Sequence, residues 1–260
     1  MRDNELTLAG DRWAPVTSRI GFLRAPLDEV AAHLQEWRRA IHGNAARHDL
    51  TGGLAANIHH LEPLTAGVRP RELLIATSSR DWTAVFDCGV QGGDQATTVG
   101  YLARTMPTNG IVVLSIPNRQ ATTDLPDRYG ARQLEIFAPI ATDFINYTRT
   151  ISVVRNGTRW RFDANGMVQD FEDTTAYQRR KITDRFTPEM LHDYAAALDL
   201  HPWDLDFYPG PSILITNPAV PPLKDWVLTI AKTQQRTGIF PIGNSRAGSR
   251  QPRSLTGRDV

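Results

Sequence analysis

The apolar positions along this chain alternate between a helical period and a strand period. From Leu27 to Ile41 they recur every three or four residues: Leu27, Val30, Ala31, Leu34, Trp37 and Ile41 fall on one helical face. Pro26 is a good first helical residue, Asp28 and Glu29 occupy the first turn, and Arg38 and Arg39 the last, as the helix dipole favours. A second stripe (Ala96, Val99, Leu102, Ala103, Met106) follows Gly92-Gly93-Asp94, a turn with Asp94 as helix cap, and Pro107 closes it. A third helix starts at Thr187-Pro188-Glu189, buries Leu191, Tyr194, Ala195 and Leu198, and ends at His201-Pro202-Trp203. Pro221-Pro222 predicts a short helix carrying Leu223, Trp226, Val227 and Ile230, and TTAYQRRKITDRF reads as polar and helical.

Between these stretches the period shortens to two. Thr17–Arg24, the run LLIA within Arg71–Thr77, Ile111–Ile116 and Ser212–Thr216 read as strands, and Leu134, Ile136 and Ala138 mark another. Trp82, Ala84, Phe86 and Cys88 alternate with Thr83, Val85 and Asp87, which places Cys88 on a core face. Asn156-Gly157 and Asn165-Gly166 are hairpin signals. They predict an antiparallel meander of Ile145–Arg155, Thr158–Phe162 and Met167–Phe171, with Trp160 and Phe162 on one face of its middle strand. Residues 43–68 read as loop with a short strand or helix. The expected fold is α+β: a mostly antiparallel sheet of six to eight strands with a β-meander and helices packed on one side. One domain would span residues 12–232, followed by a flexible basic tail over residues 233–260.

Composition narrows the class. With 41% apolar and 22% charged residues in 260, the chain has enough material for a real core and lacks a run of ~20 apolar residues that would span a membrane. A single cysteine excludes an internal disulfide and a multi-cysteine zinc site. No signal-peptide core is visible at the N-terminus, so a cytoplasmic location is expected. The net charge of +1 is uneven. Residues 234–260 carry five arginines against Asp259, a net of +4, which leaves −3 on the rest. A mildly acidic body gives no nucleic-acid footprint by itself; Arg246, Arg250 and Arg253 of the tail are the residues that would contact nucleic acid.

No stretch reaches the specificity of a catalytic motif, so no catalytic residue, metal or cofactor is assigned. Cys88 would need a base, and His59, His60 and His192 are tied to it by no motif. His59-His60 are adjacent, which makes a shared metal site awkward in strand or helix. Gly92-Gly93-Asp94 has neither GxGxxG nor the GK[ST] of a P-loop. The densest charged cluster is Tyr177, Arg179, Arg180, Lys181, Asp184 and Arg185; if helical, Tyr177, Lys181 and Asp184 share a flank and the remaining cations can clamp an anion. The acidic-aromatic loop His201–Tyr208 places Trp203, Phe207 and Tyr208 beside Asp204 and Asp206, and loop aromatics are typical binding anchors. The candidate binding residues are therefore Trp203, Asp204, Asp206, Tyr208, Tyr177, Arg180 and Arg185. The alternative is an enzyme using Asp204, Asp206 or His192 as acid–base groups with Arg180 or Arg185 on an anionic substrate.

RELLIATSSRDWTAVFDCG followed by GGD and a helix, then WRFDANGMVQDFED, resembles bacterial immunity proteins of toxin–immunity systems, and also actinobacterial α+β proteins of uncharacterised function. The resemblance spans roughly Arg71 to Tyr208 and carries no residue roles with it. It implies an α+β, non-catalytic protein that occludes a toxin's active site; the mildly acidic body and the acidic-aromatic loop would suit a basic protein partner, such as a nuclease-type toxin.

Overall fold

A computed structural model of the chain describes residues 6–67, 70–123, 125–140, 142, 146–218 and 227–241. Nine strands form one sheet: β1 (Arg19–Leu23), β2 (Ala46–Leu50), β3 (Arg71–Ala76), β4 (Thr83–Asp87), β5 (Gly110–Ile116), β6 (Ala131–Phe137), β7 (Tyr147–Asn156), β8 (Arg159–Gly166) and β9 (Ser212–Thr216). Their order is β2-β9-β3-β4-β1-β5-β6-β7-β8, and every neighbouring pair is antiparallel. The helices are α1 (Leu27–His42), α2 (Leu54–Asn57), α3 (Gln95–Thr105), α4 (Pro188–Ala197) and α5 (Ile230–Thr237).

The alternation along each strand divides the core into two layers. Ile20, Phe22, Ala84, Phe86, Ile111, Val113, Leu134, Ile136, Ile151 and Val153 face one way, under α4, α2 and the N-terminal segment. Leu23, Leu74, Val85, Val112, Phe137, Ile213 and Ile215 face the other way, under α1 and α3. The longest two helices thus share one side, as expected, while α2 and α4 lie on the opposite face, because both faces of the central strands are apolar and each needs cover. Phe22, Phe86, Phe137 and Phe186 are fully buried, each contributing roughly 1.5–3 kcal/mol. Cys88 joins Trp82, Ala84 and Phe86 in the first layer, as period two requires. α3 lies close on the sheet because Gly21 leaves room: a Cβ there would stand 2.7 Å from Val99 Cγ2 and 2.9 Å from Gln95 Cβ.

Three boundaries move. The meander is β6-β7-β8, with Asn156-Gly157 turning β7 into β8, but Met167–Phe171 is not its third strand. A Cβ at Gly166, φ +88°, would clash with Thr148 O, and its neighbour Met167 N donates to that oxygen at 2.8 Å before the chain turns away. The stretch 174–186 is no helix. It forms two short 3-10 turns, Ala176–Gln178 and Ile182–Asp184, separated by an extended Arg179 (φ −58°, ψ 144°). Tertiary bonds override local propensity there: Arg132 Nε donates to Phe186 O at 2.9 Å and its Nη2 to Thr183 O at 3.3 Å, while Arg185 Nε donates locally to Arg179 O at 2.8 Å. The tail boundary at residue 233 falls inside α5. Gln234 Nε2 donates to the carbonyls of Asp11, Arg12 and Ala14 at 3.2, 3.1 and 2.9 Å, tying α5 to the N-terminal segment. That segment contributes to the core from Leu8, ahead of residue 12, and its buried Asp11 pairs with Arg128. Ile145, the predicted helix positions Pro221 to Trp226, and the tail arginines Arg246, Arg250, Arg253 and Arg258 lie outside the described residues, whereas Arg236 sits in the last turn of α5.

Candidate functional site

The residues singled out from sequence separate into surface and core. Asp204 and Asp206 are exposed; the Asp204 carboxylate accepts from Asp206 N at 3.0 Å, closing the turn Leu205–Phe207. Trp203 is half-buried. Tyr208 faces inward at 2% exposure, its hydroxyl donating to Pro202 O at 2.7 Å, and burial pushes its phenol up. The loop presents two carboxylates and folds Phe207 and Tyr208 into the core. Tyr177 is also a core residue, donating to the Glu172 carboxylate at 2.7 Å. Arg180 is exposed, and Arg185 is half-buried over the Phe162 ring at 5.8 Å. A Tyr177–Lys181–Asp184 helix flank does not form, although Lys181 and Asp184 pair at 3.1 Å. Lys181, Thr183 and Asp184 line a cavity of about 410 Å³ with Arg132, Trp160 and Glu189. His192 is exposed, its Nδ1 3.2 Å from Asp193 Oδ1.

An apolar groove of about 430 Å³ opens at one end of the sheet. Trp82, Ile111 and Ile136, all from the first core layer, line it together with Leu198 at the end of α4. Ile140 and Met167 also line it, 54% and 67% exposed, and Val168 beside Met167 is 52% exposed. Its charged members are Arg24 and Asp81, paired at 3.1 Å, and Asp199, which accepts from Ser79 Oγ at 2.5 Å; Asn109, Thr148 and Gln169 are its neutral polar members. Sequence reading assigned Met167 to a strand and missed its exposure; the only local signal was the Asn165-Gly166 pair just before it.

A second cavity, of about 700 Å³, lies on the α3 side of the sheet. Its floor comes from the register. Gln133 pairs with Ser152, Glu135 with Thr150, and Thr150 with Asn165, so these side chains share one face with Val112 and Phe137. Tyr147 closes one flank. Glu135 is only 4% exposed. Its Oε1 accepts from Gln133 Nε2 at 2.5 Å and from the Tyr147 hydroxyl at 3.4 Å, while Oε2 has no partner among the described residues. Burial pushes the Glu135 carboxyl up and, with the carboxyl beside it, pushes Tyr147 up as well. The Arg19 guanidinium stops short of Glu135: it donates to Gln133 Oε1 at 3.4 Å and stands 3.9 Å from Asp94. The other deeply buried glutamates are clamped. Arg38 donates to both oxygens of Glu72 at 2.7 and 2.6 Å, and Arg149 to both of Glu172 at 2.8 and 2.6 Å. Nothing in the sequence singled out Glu135, because the alternation there marks only Leu134, Ile136 and Ala138 and says nothing of what covers the polar positions between them.

The remaining candidates are structural. Cys88 is buried with its Sγ 3.6 Å from Thr65 Oγ1, and burial pushes the thiol up, away from a nucleophile's range. The glycine loop is organised by Asp87, whose carboxylate accepts from Gly89 N and Asp94 N at 2.8 Å each, and Asp94 accepts from Thr97 Oγ1 at 3.2 Å at the start of α3. The His59 and His60 rings lie 4.1 Å apart, and burial together with His59 pushes His60 down. Among the described residues, no group of three His, Cys, Asp or Glu is placed to hold a metal, and no helix is long and apolar enough to cross a membrane. No protein-family model, curated protein or solved structure matches this chain.

Proposed function

We propose that the protein is a non-catalytic protein-binding module, acting in the bacterial cytoplasm on a basic protein partner, with the neutralisation of a toxin as its role. The observation that carries this reading is the apolar groove with Ile140, Met167 and Val168 exposed around it. Three large apolar side chains held together in water are a standing drive toward association, and a groove between them accepts a partner's anchor residue. Asp204 and Asp206, exposed in the loop that follows α4, suit a positively charged surface and would speed encounter with it.

The test is affinity capture of the tagged full chain from its native cells, with and without nuclease, repeated with Met167→Asp and with Asp204→Lys/Asp206→Lys. One stoichiometric protein that survives nuclease, and is lost with Met167→Asp, is the expected result. Capture that is indifferent to both variants overturns the proposed surface. Nuclease-sensitive material alone overturns the reading and points to Arg246, Arg250 and Arg253.

A further inference from the structure

α1 and α3 cover the six strands β2, β9, β3, β4, β1 and β5, and α3 reaches β6. On that same face the register carries Gln133, Glu135, Thr150, Ser152, Asp163 and Asn165 onward across β6, β7 and β8. At the boundary between covered and open sheet lies the 700 Å³ cavity, lined by hydroxyls and amides with one acid, Glu135, and one cation, Arg149, whose guanidinium is held by Glu172. That acid, Glu135, is buried, and one of its oxygens lacks a hydrogen-bond donor. Leaving a buried acceptor unmade costs about 1–3 kcal/mol, more for a charged one. Natural cores rarely keep such a group without a reason.

We propose that this cavity binds a primary ammonium or guanidinium group, seated against Glu135 and hydrogen-bonded to the hydroxyls and amides around it. Three features select that chemistry. A cationic N–H supplies both things that Glu135 lacks, a donor and a countercharge in contact, once the carboxylate turns the enclosed Oε2 toward the cavity. A neutral hydroxyl supplies the first alone. An anion meets Glu135 with Asp94 and Asp163 nearby on the same face; of the cations there, Arg149 is held by Glu172, and Arg19 reaches Gln133 and Asp94 through its terminal nitrogens, with Nε unpartnered among the described residues. Ser152 and Thr150, hydroxyl-bearing and half-buried, and the exposed Asn165 offer acceptors for the remaining N–H protons. The cation can belong to a free small amine or to a lysine or arginine side chain of a protein. The site is distinct from the apolar groove, and the inference stands whether or not that groove binds a protein.

The experiment is a titration of ¹⁵N-labelled full chain with n-butylammonium, n-butylguanidinium, 1-butanol and butyrate, followed through the backbone amides. The two cations are expected to shift the amides of Gln133, Glu135, Thr150 and Asn165 saturably at millimolar concentrations, with 1-butanol and butyrate inert. Glu135→Gln, which keeps shape and removes charge, should weaken the cations about tenfold. Thr150→Leu, which fills the cavity from a half-buried position, should abolish the shifts if Glu135→Gln perturbs the fold. Equal response to 1-butanol, cation binding unchanged in both variants, or no saturable shift with either cation overturns the proposal. Blocked lysine and arginine amides form the second arm. Binding comparable to the alkyl cations means the site admits a protein side chain; binding of the alkyl cations alone means it takes a free amine.

Discussion

Arg149 and Glu135 stand one register step apart on β7 and β6, facing opposite sides of the sheet, and the two sides treat charge differently. Glu135 pairs across the ladder with Thr150, and Ile136 with Arg149. On the α4 side, Arg149 is buried and holds Glu172 through two bonds, with the Tyr177 hydroxyl as a third donor to the same carboxylate. On the α3 side, Glu135 is equally buried and holds one amide and one distant phenol. The first arrangement closes its hydrogen bonds within the chain and joins the loop after β8 to the sheet. The second leaves an acceptor open beside a cavity. A buried charge that is fully satisfied is structural; one left incomplete is where a ligand has something to gain.

The largest break in this comparison is Arg149→Met. It strands the Glu172 carboxylate in the core, and urea unfolding should show a loss of about 3–5 kcal/mol. Gly21→Ala tests what separates the covered face from the open one: the new Cβ meets Val99 and Gln95, α3 must shift, and a loss of about 1–3 kcal/mol is expected in the same assay. Glu135→Gln should move stability the other way. Burial raises the Glu135 pKa in the folded chain above its unfolded value of about 4.3, so the unfolded chain gives up the proton first. Stability is therefore lost as pH climbs from about 4.3 to the raised folded value, and the amide, which cannot ionise, escapes that loss. The variant should unfold at higher urea than the parent at pH 7 and match it near pH 3. Smallest is Asp206→Lys, expected within about 0.5 kcal/mol of the parent in stability while weakening capture of a basic partner.

Where side chains answer to their neighbours in sequence, the structure was legible beforehand. Period two placed Cys88 beside Phe86 and Trp82. Asn156-Gly157 placed the β7–β8 turn. Thr187-Pro188 marked the start of α4, where the Thr187 hydroxyl accepts from Met190 N at 3.2 Å. Where side chains answer to distant partners, it was not. Tyr177 lies in a polar, charged stretch and is drawn inward by Glu172 and Tyr194, the latter 17 positions away at 3.4 Å. Glu135 has a polar neighbour at Gln133, and its burial depends on Tyr147 and the covering helix. Gln234 looked like the start of a loose tail until its amide found three carbonyls of the N-terminal segment. Each of these depends on packing between elements far apart in the chain, which periodicity does not report.

The position of β9 between β2 and β3 has a consequence for how the chain is made. During synthesis β1, β3, β4 and β5 emerge early and can pair as soon as Ile116 is out, whereas β2 must wait for Ser212–Thr216 to be translated before it has any neighbour. Until then β3 is an edge, with its backbone amides and carbonyls bare and an apolar run, Leu73 to Ile75, behind them. A ribosome that stops short of Ser212 releases a chain with a sticky sheet margin and a detached strand, so termination before β9 is made yields aggregates rather than a shortened working protein.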